Sequence, residues 1–268
     1  MVHIVGPSGV LKPHGDRLRQ GIHALKSAGF RTHMADDLST RNQRGYLAGD
    51  DPRRCEEFIN AVADPSCDIV WWARGGSGAG RIVAEVVDSI THMKPKWLIG
   101  FSDATSLLNA ISIKLGWVSI HGPTVTLLGD QPECLSSLVK LTGTLADESY
   151  RDPFGTLPIY GGNITVLASM MGCIDLAHLP PHRLLLEDVG ESVYRLDRSL
   201  TQLRHAWPIG RTKEILLGDL DLPPETSRQI AGYITEDFGC NVRTEVKAGH
   251  RGYVSFIPLG HSPVVPCT

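Results

Sequence analysis

No apolar run in this 268-residue chain approaches the roughly 18 residues that a bilayer-spanning helix needs. The opening Met1-Val-His-Ile-Val-Gly-Pro-Ser8 lacks the basic start and long apolar segment of a secretion signal. Neither a membrane partner nor export is expected, and a cytoplasmic location is. The six cysteines (Cys55, Cys67, Cys134, Cys173, Cys240 and Cys267) never form a Cys-x-x-Cys pair, which argues against a zinc ribbon and a disulfide framework and predicts free thiols. There is no His-Glu-x-x-His, and cysteines and histidines do not cluster, so no metal site is expected. With a dispersed net charge of −3 the chain has no basic stripe for a phosphate backbone, and nucleic acid is not an expected partner.

What is present is an alternation of apolar strands with amphipathic helices. Val2 to Val5 reads as a buried strand closed by Gly6-Pro-Ser-Gly9, and Asp16 to Ala28 as a helix. Arg53 to Val62 (helix), Asp68 to Ala73 (strand), Ile82 to Ile90 (helix) and Leu98 to Gly100 (strand) continue the pattern. Such alternation predicts an α/β fold with a mostly parallel sheet covered on both faces. The period fails between Leu141 and Tyr160, where glycine, proline and aspartate crowd together. This gives an expected division into a domain over 1–142, a linker over 143–160 and a smaller α/β domain over 161–268. In the latter, Gly161 to Leu167 reads as a turn entering a helix, Arg183 to Glu187 as a strand, and Tyr194 to Leu203 as a helix. Glu214 to Gly218 (strand), Ser227 to Phe238 (helix) and Tyr253 to Leu259 (strand) follow.

Leu98-Ile-Gly-Phe-Ser102-Asp103 places a serine at a strand-to-helix turn, where a hydroxyl is lifted from the sheet and neighbouring amides can face an oxyanion. The competing explanation is that Ser102 caps the helix. Arg74-Gly-Gly-Ser-Gly-Ala-Gly-Arg81 follows the neighbouring strand, so the amide of Gly75 or Gly76 could join that of Asp103 in an oxyanion hole. The loop lacks Gly-x-Gly-x-x-Gly spacing and any Gly-Lys-Ser, so no nucleotide cofactor is expected, nor any other. Glu187, ending an apolar strand, is the candidate acid, with Asp188 and Glu191 as rivals better suited to capping a helix. For the base, His121, His250 and His261 remain once histidines on polar faces and loops are set aside.

Taken in order, Gly6-Pro-Ser-Gly9, Arg74-Gly-Gly-Ser-Gly78, Gly100-Phe-Ser-Asp-Ala-Thr105, His121-Gly-Pro123, Gly161-Gly-Asn-Ile-Thr165, Leu186-Glu-Asp-Val-Gly-Glu191 with Tyr194-Arg-Leu-Asp-Arg198, and Gly249-His250 resemble the LD-carboxypeptidases, cytoplasmic serine peptidases of peptidoglycan recycling. The resemblance implies an amino-terminal domain like the class I glutamine amidotransferases (flavodoxin-like), a smaller carboxy-terminal α/β domain and an active site at their interface. It implies a triad of Ser102, Glu187 and His250, His250 being preferred to His261 because it precedes Ile257-Pro-Leu-Gly260 by a strand's length. Substrate contacts are expected at Arg74, Ser77, Gly78, Arg81, Gly162 and Asn163; Arg74 and Arg81 could meet a terminal carboxylate or form structural salt bridges. Ser77 stands where the family usually has an aromatic residue. The implied substrate is a muropeptide tetrapeptide losing its terminal D-Ala, and the implied assembly is a homodimer. The alternatives are an immunity-type relative that hydrolyses a peptidyl-nucleotide antibiotic, and a non-catalytic peptide-binding protein of the same fold.

Overall fold

The computed structural model describes residues 1–138, 157–250 and 254–260. Two α/β units are present, each built on its own sheet. The first sheet contains β1 (Val2–Val5), β2 (Thr32–Met34), β3 (Ile69–Trp72), β4 (Trp97–Gly100), β5 (Ser119–His121) and β10 (Ile257–Leu259) in the order β10-β5-β4-β3-β1-β2. Every pairing in it is parallel except that of β10 with β5. The second sheet, all parallel, has the order β6-β7-β8-β9, from β6 (Ile159–Asn163), β7 (His182–Glu187), β8 (Thr212–Leu217) and β9 (Asn241–Arg243).

β1, β3 and β4 are buried at every position, as expected of parallel strands covered on both faces. One face of the first sheet is covered by α1 (Gly15–Ser27), where Leu18 and Leu25 are buried, and by the short α5 (Val125–Leu128). The other carries α2 (Asp51–Ala63), whose first turn is capped by the Asp50 carboxylate accepting from Arg53 N, with α3 (Val83–Ile90) and α4 (Thr105–Leu115). In the second unit α6 (Ile164–Ser169), α7 (Val193–Ala206) and α8 (Pro224–Phe238) pack on the sheet through Leu196, Leu203, Ile230 and Ile234. No helix among the described residues is long and apolar enough to cross a bilayer.

Several expectations need correction. β2 and β9 are three-residue strands of mixed burial, too short to show a period in the sequence. Gly161-Gly162 is strand rather than turn: both residues have positive φ, and a Cβ on Gly161 would fall 2.2 Å from the Leu185 carbonyl oxygen. β6 therefore begins inside the stretch read as a linker, whose residues 143–156 lie outside the described ones. The final strand is shorter than expected, Ile257–Leu259, with Tyr253 outside the described residues. It also belongs to the first sheet, so the chain returns from the second unit to complete the first.

The two units are joined at the free edge of β6. Unpaired strand-edge groups must find partners when buried. Here the Asn109 side chain of α4 supplies them: Nδ2 donates to Gly161 O at 2.9 Å and Oδ1 accepts from Gly161 N at 2.7 Å. One turn earlier, Thr105 Oγ1 accepts from Asn163 N at 3.0 Å, and at the other end Gly260 N donates to Ile159 O at 2.8 Å. This explains why α4 is buried continuously from Thr105 to Ser112, having the first sheet on one side and the second unit on the other. Replacing Asn109 by Leu should strand both Gly161 groups and cost about 2 kcal/mol or more. A thermal melt should show a clear loss of stability; an unchanged midpoint would mean that the edge is satisfied in another way.

Candidate active site

The candidate site lies at the carboxyl ends of β1, β3, β4 and β5, where loops of an open α/β sheet hold ligands. β4 ends at Gly100, and Phe101 is followed by Ser102 with φ of 59°. A left-handed serine is uncommon and strained, and here it turns the side chain off the helix axis. The turn Ser102–Ala104 has no side-chain cap, and neither has α4. The helix-cap explanation of Ser102 therefore fails. Gly100 permits the sharp turn, since a Cβ on it would meet Ala104 at 2.8 Å and the Trp72 ring at 3.0 Å.

The loop after β3 closes over this serine. A Cβ on Gly75 would sit 3.1 Å from Ser102 Oγ, so only glycine leaves the hydroxyl unobstructed at that contact. Gly76, with φ of 112°, lies against Gly9, whose amide donates to Gly75 O at 3.0 Å. Among the described residues the amides of Gly75, Gly76 and Asp103 have no acceptor. The buried Asp103 carboxylate accepts from Ala79 N at 2.8 Å and so ties the glycine loop to the serine turn, a role for its side chain that the sequence reading missed.

The candidate acid and base come from the second unit. β7 ends at Glu187, which is fully buried, and β8 continues into Gly218, whose missing Cβ leaves room for the Ala248 carbonyl. That close approach, with Asp219 N donating to Ala248 O at 2.8 Å, carries residues 246–250 over the end of the sheet. Gly249, at φ of 129°, then directs His250 back toward β7. His250 Nε2 lies 3.7 Å from Glu187 Oε2, an ion-pair contact longer than a hydrogen bond, and its ring packs on Phe101 at 4.5 Å between centroids. Burial is the main influence on His250 and lowers its pKa; Glu187 opposes this and His121 adds to it.

Asp188 and Glu191 are otherwise engaged. The Asp188 carboxylate accepts from Asn163 Nδ2, Thr165 N, Thr165 Oγ1 and Val189 N, and so fastens the first turn of α6 rather than a helix after Glu191. Glu191 lies 3.7 Å from Arg195. Glu187 accepts no hydrogen bond from any described residue.

Ser102, Gly75, Gly76, Arg74 and His250 line one cleft of about 180 Å³, together with His14, Arg17, Phe101, Thr124, Thr126 and Leu127. His14 and Arg17 were not foreseen, although their position after β1 at the same sheet edge was a usable signal. Arg74 is half-buried; its Nη1 donates to Val10 O at 2.7 Å, and no carboxylate among the described residues pairs with it. Arg81 is elsewhere, with Nε 2.9 Å from both Asp51 oxygens, so its guanidinium is spent on a surface ion pair. Ser77, Gly78, Gly162 and Asn163 do not line the cleft. Gly78 O accepts from buried Arg54 at 2.9 Å, and Asn163 caps α6 by accepting from Val166 N. The rival base His121 is fully buried beside Glu187, and His261 lies outside the described residues.

A family model described as the LD-carboxypeptidase N-terminal domain matches residues 2–122, and one described as the C-terminal domain matches residues 157–264. A putative carboxypeptidase of Synechocystis sp. is 31% identical over 96% of this chain and 88% of its own length. The murein tetrapeptide carboxypeptidase of Pseudomonas aeruginosa is 32% identical over 89% of this chain and 81% of its own. In fold, the chain is similar to the microcin C7 self immunity protein MccF solved with aspartyl sulfamoyl adenosine, with a TM-score of 0.80 and 18% identity over 97% of this chain and 90% of that one. Domain models covering both units, and relatives above 30% identity along most of the length, lead to one conclusion: the chain belongs to the LD-carboxypeptidase family.

Proposed function

We propose that the protein is a serine-type LD-carboxypeptidase that releases the terminal D-Ala of a muropeptide tetrapeptide, with Ser102, His250 and Glu187 as nucleophile, base and orienting acid. The observation that carries this reading is the cleft itself: a left-handed serine under a glycine loop shares it with a histidine whose Nε2 lies 3.7 Å from a buried carboxylate. Family membership makes it a peptidase, and the name of the Pseudomonas relative supports the murein tetrapeptide as substrate.

In this mechanism His250 turns Nε2 toward Glu187, leaving Nδ1 to take the proton as Ser102 Oγ attacks the scissile carbonyl carbon. The amides of Gly76 and Asp103 hold the developing oxyanion. Collapse of the tetrahedral adduct breaks the C–N bond, and His250 returns the proton to the departing D-Ala amine. Water, deprotonated by the same histidine, then hydrolyses the acyl ester and restores Ser102. Arg74 receives the free carboxylate of the D-residue, a charge-assisted pairing that a carboxypeptidase needs and an endopeptidase does not.

Purified protein should release free D-Ala from an L,D-linked tetrapeptide, and Ser102→Ala should lower turnover by about 10⁴-fold or more while folding normally. No release by the folded wild type would overturn the reading. Since only neutral His250 is a base, and burial lowers its pKa, the acid limb of kcat/KM should have its midpoint below 6.5. Glu187→Gln, by removing the group that raises that pKa, should move the limb lower still; a midpoint above 6.5 in the wild type contradicts the assignment. Arg74→Gln should raise KM about 10- to 100-fold for the tetrapeptide. With the terminal carboxylate amidated, the two proteins should differ little.

A further inference from the structure

His121 is a motif residue that the mechanism above leaves unused. It ends β5, directly beside Gly100 of the serine strand, and is locked in place by Gly122 N donating to Gly100 O at 3.0 Å and by Ile257 of β10 on its other side. Its side chain is fully buried, with Nε2 3.7 Å from Glu187 Oε1, while His250 lies 3.7 Å from Oε2 of the same carboxylate. Phe101 packs against both imidazoles, at 5.8 Å from the His121 ring and 4.5 Å from the His250 ring. A Cβ on Gly162 would approach His121 Cδ2 to 3.4 Å, so the second unit closes over the ring.

Among the described residues, neither ring nitrogen of His121 and neither oxygen of Glu187 has a hydrogen-bond partner. A buried imidazole serving only to fill space would be replaced at lower cost by an apolar side chain, and a buried carboxylate needs a donor. Each lacks a partner and lies 3.7 Å from the other, less than about 1 Å beyond hydrogen-bond length, and catalytic hydrogen bonds that are long in a free enzyme commonly tighten when substrate binds.

We propose that His121 is a positioning residue for the hydrolysis: its Nε2–H engages Glu187 Oε1, fixing the carboxylate so that Oε2 faces His250. The serine is thus served by a His121–Glu187–His250 chain in which His121 comes from the first unit, Glu187 from β7 and His250 from the loop after β9. The charged and titratable groups that bear on His250 are Glu187, His121, Asp188 and Asp219, and of these only His121 lowers its pKa. The proposal rests on the serine-peptidase reading, so its test includes a readout that needs no turnover.

In the full chain, His121→Leu should reduce kcat for D-Ala release about 10- to 100-fold with KM little changed, and His121→Gln, which keeps an N–H donor, should recover part of the loss. In a Glu187→Gln background the same His121→Leu change should cost less than about 2-fold, because the two residues act as one unit. An equal cost in both backgrounds, or full activity of His121→Leu, overturns the proposal. Independently, ¹⁵N-labelled wild type should carry its His121 ring proton on Nε2, and this resonance should shift or vanish in Glu187→Gln. A proton on Nδ1 in both proteins overturns the proposal even if no peptide is cleaved or His121→Leu does not fold. A wild type that keeps the Nε2 proton but releases no D-Ala overturns only the peptidase reading.

Discussion

A fully buried carboxylate that lacks a hydrogen-bond donor is the constraint on which the site depends. Desolvating Glu187 is costly unless cationic or N–H groups face it, and the groups that do so, His121 and His250, are supplied by different parts of the chain. The carboxylate is stabilised only when the second sheet is seated against β5 and the loop after β9 lies over β8. Seating the two units against each other and surrounding the Glu187 carboxylate are therefore the same event.

The joint itself follows from backbone accounting. β6 is an edge strand buried against the first unit, and its free groups at Gly161 and Asn163 are met by Asn109 and Thr105 of the helix that begins just after Ser102. The helix that follows the Ser102 turn is thus also the element that positions the sheet carrying Glu187. The same economy shows at Asp103, which follows Ser102 in the turn while its carboxylate holds the glycine loop. Rigid secondary structure on both sides keeps the groups in register without a metal or cofactor in the proposed mechanism.

Much of this was legible in the sequence because the signals are local. Ile69 to Trp72 and Trp97 to Gly100 are uninterrupted apolar strands, Val2 to Val5 is broken only by His3, and the helices of both units show their period plainly. The turn at Ser102 and the strand end at Glu187 were legible as strand boundaries. What depends on long-range contact was not. The sequence has no local signal that Gly161-Gly162 would run as strand under Leu185, that Ile257–Leu259 would return to the first sheet, or that Arg81 would be taken by Asp51 while Arg74 stayed open to the cleft. The choice between Glu187 and Asp188 is the clearest case: adjacent acids in sequence, one saturated by four donors and one left empty for imidazoles.

The central claim is that Ser102 forms a covalent acyl intermediate in a site assembled across the two units. Peptide mass spectrometry of the wild-type protein, acid-quenched within the first turnovers of an L,D-linked tetrapeptide in large excess, looks for that intermediate directly. The account predicts an adduct on Ser102 with the mass of the substrate less its terminal D-Ala. An adduct on any other residue, or D-Ala release that continues undiminished in Ser102→Ala, would contradict it.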